Sequence, residues 1–172
     1  QEIKKTFRDG KQLAILFVDL DHFKEVNDTL GHDAGDLLLV EAARRIVGCV
    51  RESDTVARMG GDEFTLVLSD LQNEERLDRI LHDVLQAMAN HFQIGDEQVY
   101  ISASIGITIY PADGLEAETL FKNADQALYV AKGAGRNRFS FFTPSLQEAA
   151  QARVRLANDL RAGVTAGQFH LV

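Results

Sequence analysis

Tryptophan is absent from this 172-residue chain, cysteine occurs once and proline twice. The single cysteine, Cys49, excludes a disulfide framework, and its place inside an apolar helical pattern reads as a core thiol in a reducing cytosol. Positive charge is also in short supply. With 18 Lys and Arg against 26 Asp and Glu, the formal net charge is −8, which argues against non-specific contact with nucleic acid or an anionic membrane. A polyanionic ligand must then be drawn in by a local site or a bound cation. Long hydrophobic runs are missing too. No stretch approaches the ~20 apolar residues of a membrane span, and the N-terminus lacks a signal-peptide pattern, so the expectation is a cytoplasmic piece with no membrane contact of its own, whatever anchor a longer parent carries. Against these absences, an apolar content of 45% excludes a disordered chain, and the length suits one α/β domain with an appendage.

The stretch from Arg58 to Leu68 organises the rest. Gly60-Gly61 opens a turn, and the alternation of Phe64, Leu66 and Leu68 predicts a strand with one buried face. Asp62 and Glu63 are thereby held at a hairpin tip. Adjacent carboxylates repel, and such a pair commonly shares a cation or a proton; the plain alternative is a solvated turn.

Upstream, Leu13 to Val18 is an unbroken apolar run, the mark of a strand buried on both faces, and Asp19 and Asp21 sit at its exit. Phe23 and Lys24 begin the next helical turn. Acids ending a buried strand beside a helix N-terminus suit a hard cation carrying triphosphate oxygens, although helix capping also explains such an Asp. Two glycines then break the chain, and Leu39, Ala42, Ala43, Ile46 and Val50 recur at helical spacing, which places Asp36 in the first turn of an amphipathic helix. A carboxylate at Asp36 could take the guanine N1–H and N2–H₂ donors, and the Asn27 amide the other edge atoms; ordinary capping and a turn histidine at His32 are the simpler alternatives. Arg51 and Asp54 read as a surface i,i+3 ion pair.

Downstream, a core-facing helix runs from about Asn73 to His91 with no chemistry assigned to it. Val99 to Tyr110 alternates as a single strand able to span ~40 Å, bent at Gly106. A further helix carries Ala117, Leu120, Phe121, Ala124, Ala127 and Ala131 inward and ends in Lys132-Gly133-Ala134-Gly135-Arg136, a basic turn in an acidic protein. Helix termination accounts for a lysine and glycine there; phosphate binding accounts for the reversal of charge as well. Phe139 to Phe142 closes as a strand. Pro144 marks a boundary, giving a domain over 1–143 with a short helical lead-in and a helical linker over 144–172 that ends in the start of a strand. The order of elements predicts α/β architecture with helices on a mainly antiparallel sheet.

Gly60-Gly61-Asp62-Glu63-Phe64 resembles the signature of the GGDEF-domain diguanylate cyclases, which condense two GTP into cyclic di-GMP, and the resemblance extends from about Lys11 to Phe142. It implies a palm-like βαββαβ core. It implies that Asp19, the carbonyl of Leu20, Asp62 and Glu63 hold Mg²⁺ or Mn²⁺, with Asp62 and Glu63 catalytic and Asp62 standing both as ligand and as candidate base. Phe23, Asn27, His32, Asp36, Lys132 and Arg136 match substrate-binding positions. Arg51-x-x-Asp54, five residues before the glycines, matches a product-inhibition site for cyclic di-GMP, to which Arg76 or Arg79 would add a second arginine. Each domain would bind one GTP, so a homodimer is needed for reaction. The tail resembles the joint to a following EAL-type phosphodiesterase domain. A regulatory domain that senses GTP or cyclic di-GMP without turnover is the rival expectation.

Overall fold

The computed structural model describes residues 12–71 and 74–146, with positions 148, 152, 155 and 156. The lead-in expected over 1–10, most of the expected linker helix and the terminal strand over 167–172 lie outside the described residues. The chain divides into two compact units, Gln1–Phe142 and Thr143–Val172. In the second, 144–146 are helical and the Leu146 amide donates to the Thr143 carbonyl.

The first unit runs β1 (Leu13–Asp21), α1 (Phe23–Leu30), α2 (His32–Cys49), β2 (Thr55–Gly60), β3 (Glu63–Leu68), α3 (Glu74–Ala89), β4 (Phe92–Ile94), β5 (Glu97–Val99), β6 (Ser102–Tyr110), α4 (Ala117–Gly133) and β7 (Arg138–Phe141). Five strands form one sheet in the order β2-β3-β1-β6-β7, antiparallel except for the β6–β7 pair. This is the mainly antiparallel α/β architecture that the sequence implied.

Strand residues alternate between faces, and β1 uses both. Ala14, Leu16, Val18 and Leu20 join the core under α1, α2 and α3. Leu13, Ile15 and Phe17 face α4 instead, where Phe17 stacks on Phe121 with ring centroids 5.8 Å apart. Continuing the odd register brings Asp19 and Asp21 onto the α4 face. The sheet therefore changes from apolar to acidic along one face only, while Val18 and Leu20 stay fully buried opposite.

Four expectations need correction. β1 does not stop at Val18 but runs through both acids, with Asp19 and Asp21 buried. The single strand over 99–110 is two: Glu97–Val99 pairs with Phe92–Ile94 across the turn at Gly95 (φ 60) in a separate hairpin, and β6 begins at Ser102, leaving Tyr100 and Ile101 outside both ladders. Gly106 marks no bend, since the β1–β6 register is continuous across it. A Cβ there would fall into the backbone of Ala124 and Leu128, so glycine is what lets α4 lie directly on the sheet. Finally, α2 starts at His32, which puts Asp33 in the first turn and Asp36 one residue beyond it, and stops at Cys49, with Val50 as its cap. Cys49 itself is half-buried at the core edge, and burial raises its thiol pKa.

Candidate functional site

The glycine tip is a two-residue connection. Gly60 pairs with Glu63 across it, and Gly60 and Gly61 have φ of 151° and 54°, values that a side chain would resist. Arg58 Nε donates to the Gly61 carbonyl at 2.9 Å, and the Asp62 carbonyl accepts from the Leu20 amide at 3.2 Å. The tip is thus tied to β1. Asp19 and Glu63 are directly opposed in the β1–β3 register, so their side chains leave the same face of the sheet.

The other side of this acidic corner is the end of α4. Lys132 Nζ lies 2.7 Å from Asp19 Oδ2, and Arg136 Nε lies 4.0 Å from Asp21 Oδ1. Burial pushes the Asp19 carboxyl above its ordinary range; the hydrogen bond and charge of Lys132 pull it down, and the charges of Asp62 and Glu63 push it up. Acids from two strands and a lysine from a helix therefore act on one another. Among the described residues, no three His, Cys, Asp or Glu side chains already stand together as a metal cage.

A second group lies along α1 and α2. Half-buried Asn27 rests against Gly35, where a Cβ would collide with its amide oxygen, and exposed Asp36 is the next residue along. His32, also exposed, sits one turn earlier on the same helix. The Phe23 side chain is buried in the core, which leaves only its amide, in the first turn of α1, to meet a ligand.

Arg51 and Asp54 do not form the expected surface ion pair. The Asp54 side chain is fully buried and accepts from the Arg51 amide, the Ser69 amide and, at 2.6 Å, the Arg76 guanidinium. They sit at the far end of β2, about six residues and ~20 Å of strand from the glycine tip. Arg76 is buried and joined to Asp54, whereas Arg79 is exposed. The α3 helix thus carries one arm of this cluster, at one of the two arginines that the resemblance offered.

Comparison with known proteins now bears on the site. The family model described as "Diguanylate cyclase, GGDEF domain" matches residues 1–138. The chain belongs to the GGDEF family. MucR of Pseudomonas aeruginosa, a bifunctional diguanylate cyclase/cyclic di-GMP phosphodiesterase, is 43% identical over 171 residues, a match covering 99% of this chain and 25% of MucR. The GGDEF domain of TpbB (YfiN) from the same organism has a solved structure similar to this one with a TM-score of 0.83 at 39% identity, covering 87% of each chain. The GGDEF domain of DgcB from Caulobacter crescentus, solved with c-di-GMP, matches with a TM-score of 0.71 at 26% identity, over 80% of this chain and 82% of that one. The GGDEF chain described here spans about a quarter of MucR's length. No helix among its described residues is long and apolar enough to cross a membrane.

Proposed function

We propose that this GGDEF domain is one half of a diguanylate cyclase, binding one GTP and joining it to a second GTP held by a facing copy to give cyclic di-GMP and two pyrophosphates. The observation that carries the reading is the corner where Lys132 meets Asp19 while the charges of Asp62 and Glu63 bear on the same carboxylate. Its donors are all hard oxygens: three carboxylates and the Leu20 carbonyl. Their mutual repulsion fits a divalent cation such as Mg²⁺ or Mn²⁺, held by these four residues. When bound, that ion neutralises the triphosphate and polarises the α-phosphorus.

The chain's own residues do the rest. Asn27 and Asp36 take the guanine edge, with His32 beside them; the Phe23 amide, Lys132 and Arg136 bind phosphate oxygens. Lys132, a third exposed, exchanges Asp19 for phosphate as the nucleotide enters. Asp62 accepts the proton of the incoming 3′-hydroxyl. That oxygen bonds to the α-phosphorus as the bond to the β-phosphate oxygen breaks and pyrophosphate leaves, and the same exchange in the second half closes the ring. Cyclic di-GMP also acts as inhibitor through Arg51 and the Asp54 cluster. In the parent protein this cytoplasmic domain occupies 1–143, and 144–172 links it to an EAL-type phosphodiesterase domain.

Incubation of the chain with GTP and Mg²⁺, free and fused to a dimerising coiled coil, tests this. Cyclic di-GMP should form, with turnover per chain falling on dilution of the unfused domain. A second reading, a silent domain sensing GTP or cyclic di-GMP for a phosphodiesterase, draws support from the closed Lys132–Asp19 pair. Tight nucleotide binding without product in the enforced dimer would decide for it.

A further inference from the structure

Asp21 is a buried carboxylate that the proposed chemistry does not use. Its side chain is fully shielded, and it accepts from Ser102 Oγ at 2.6 Å, Ser104 Oγ at 2.8 Å and the backbone amide of Asn137 at 3.1 Å, with Arg136 Nε at 4.0 Å. The two serines belong to β6, beside which Asp21 runs, so their hydroxyls share its face. Asn137 belongs to the turn after α4, where Arg136 and Asn137 both hold left-handed backbone, φ 61° and 47°. Two consecutive non-glycine residues in that region are costly and need an outside restraint.

Spacing makes the restraint specific. Asp19 and Asp21 are two strand residues apart, ~6.6 Å, while Lys132 lies in the last turn of α4 and Arg136 just past its end, so the acidic face and the basic turn meet in two rungs. The rungs differ in kind. Asp19–Lys132 joins two side chains, one of them a third exposed, and can exchange. Asp21 grips a main-chain N–H from a fully buried side chain and cannot slide away without stranding its charge.

We propose that Asp21 is a positioning residue for triphosphate binding: it locks the Arg136–Asn137 turn so that Lys132 and Arg136 stay at the site when Asp19 exchanges its lysine. This rests on the cyclase reading of Lys132 and Arg136 as phosphate contacts. The test is calorimetric binding of α,β-methylene GTP and of GMP, with Mg²⁺, to the full chain and to D21N, with K132A as control. In D21N the amide retains acceptor capacity for only part of this set of three donors. The expected result is an affinity for the GTP analogue about tenfold lower in D21N with GMP within about twofold of wild type. Equal losses for both ligands, or none, overturn the proposal, because a merely structural role does not distinguish phosphate number. If K132A leaves the preference for GTP over GMP untouched, the phosphate reading itself fails and takes this proposal with it. Should D21N not fold, amide exchange in the wild-type chain decides: protection at Asn137 comparable to that of amides within α4 supports the lock, and exchange at the rate of an unprotected amide overturns it.

Discussion

Lys132 Nζ and Asp19 Oδ2 lie 2.7 Å apart, and the pair joins the end of α4 to the acidic end of β1. Their exposures differ, 34% for the lysine side chain and 10% for the aspartate. The lysine is the member free to turn outward.

Replacing it should therefore weaken the nucleotide more than the fold. In Lys132→Met the stem still packs but the charge is gone, and GTP affinity should fall about tenfold or more, the order expected for one charge-assisted phosphate contact. Unfolding by urea should change little. An unchanged GTP affinity would remove Lys132 from the site.

Asp19 should trade stability for function. Burial raises its folded-state pKa above 3.8, so the native chain holds the proton more readily than the unfolded one. Stability from this group is then fully present below 3.8 and is lost as pH rises through the folded pKa. Asp19→Asn should be the more stable protein at pH 7, with the gap closing towards pH 4, and should lose cyclase activity by about a hundredfold or more. Parallel urea midpoints for the two proteins between pH 4 and 7 would contradict it.

Gly106→Ala tests how the site is supported from beneath. The new methyl would enter the backbone of Ala124 and Leu128, forcing α4 off the sheet. A loss of about 1–3 kcal/mol in stability is expected, with weakened GTP binding because Lys132 and Arg136 ride on the same helix. Normal GTP affinity in a folded G106A would show that the end of α4 is set independently of its middle.

What the sequence disclosed follows the reach of local pattern. Periodicity placed β1, the glycine hairpin and the inward face of α4, because alternation and 3.6-residue spacing are properties of a few consecutive residues. The meeting of Asp19 with Lys132 was implied only by family resemblance, since 113 residues separate them and no local pattern encodes it. Three readings failed where long-range packing outranked local signals. Gly106 looks like a bend until α4 is laid on it, Tyr100 continues an alternation that ends where Glu97–Val99 pairs with Phe92–Ile94 instead of joining β6, and Asp54 looks like a partner for its neighbour Arg51 until Arg76 arrives from α3.

Arg45 carries more of the fold than its place on α2 suggests. Its guanidinium donates to the carbonyls of Ala87, Asn90 and His91, caps the end of α3 and stacks over Phe92 at 3.8 Å, while Arg44 and Arg45 together pull the Glu41 carboxyl down to about 2. Arg45→Ala leaves those carbonyls without their donor and should cost about 2–4 kcal/mol by chemical denaturation. Arg45→Lys should recover only part, since an ammonium cannot form the same planar fork.

Arg51 and Arg76 should separate inhibition from stability. Arg51 is exposed, and its hydrogen bonds with Asp54 run through its backbone amide and carbonyl, which a substituted residue such as alanine also supplies. Arg51→Ala should leave stability within about 0.5 kcal/mol and, if cyclic di-GMP binds here, lower its affinity and relieve product inhibition. Arg76 is buried against Asp54 at 2.6 Å and also donates to the Ser69 carbonyl, so Arg76→Met leaves a fully buried carboxylate without its countercharge. A loss of about 3–5 kcal/mol is expected there. Cyclic di-GMP titrations and urea curves on both variants check the pair: a destabilised R51A, or an R76M as stable as wild type, would mean that the two arginines have exchanged the roles their burial assigns them.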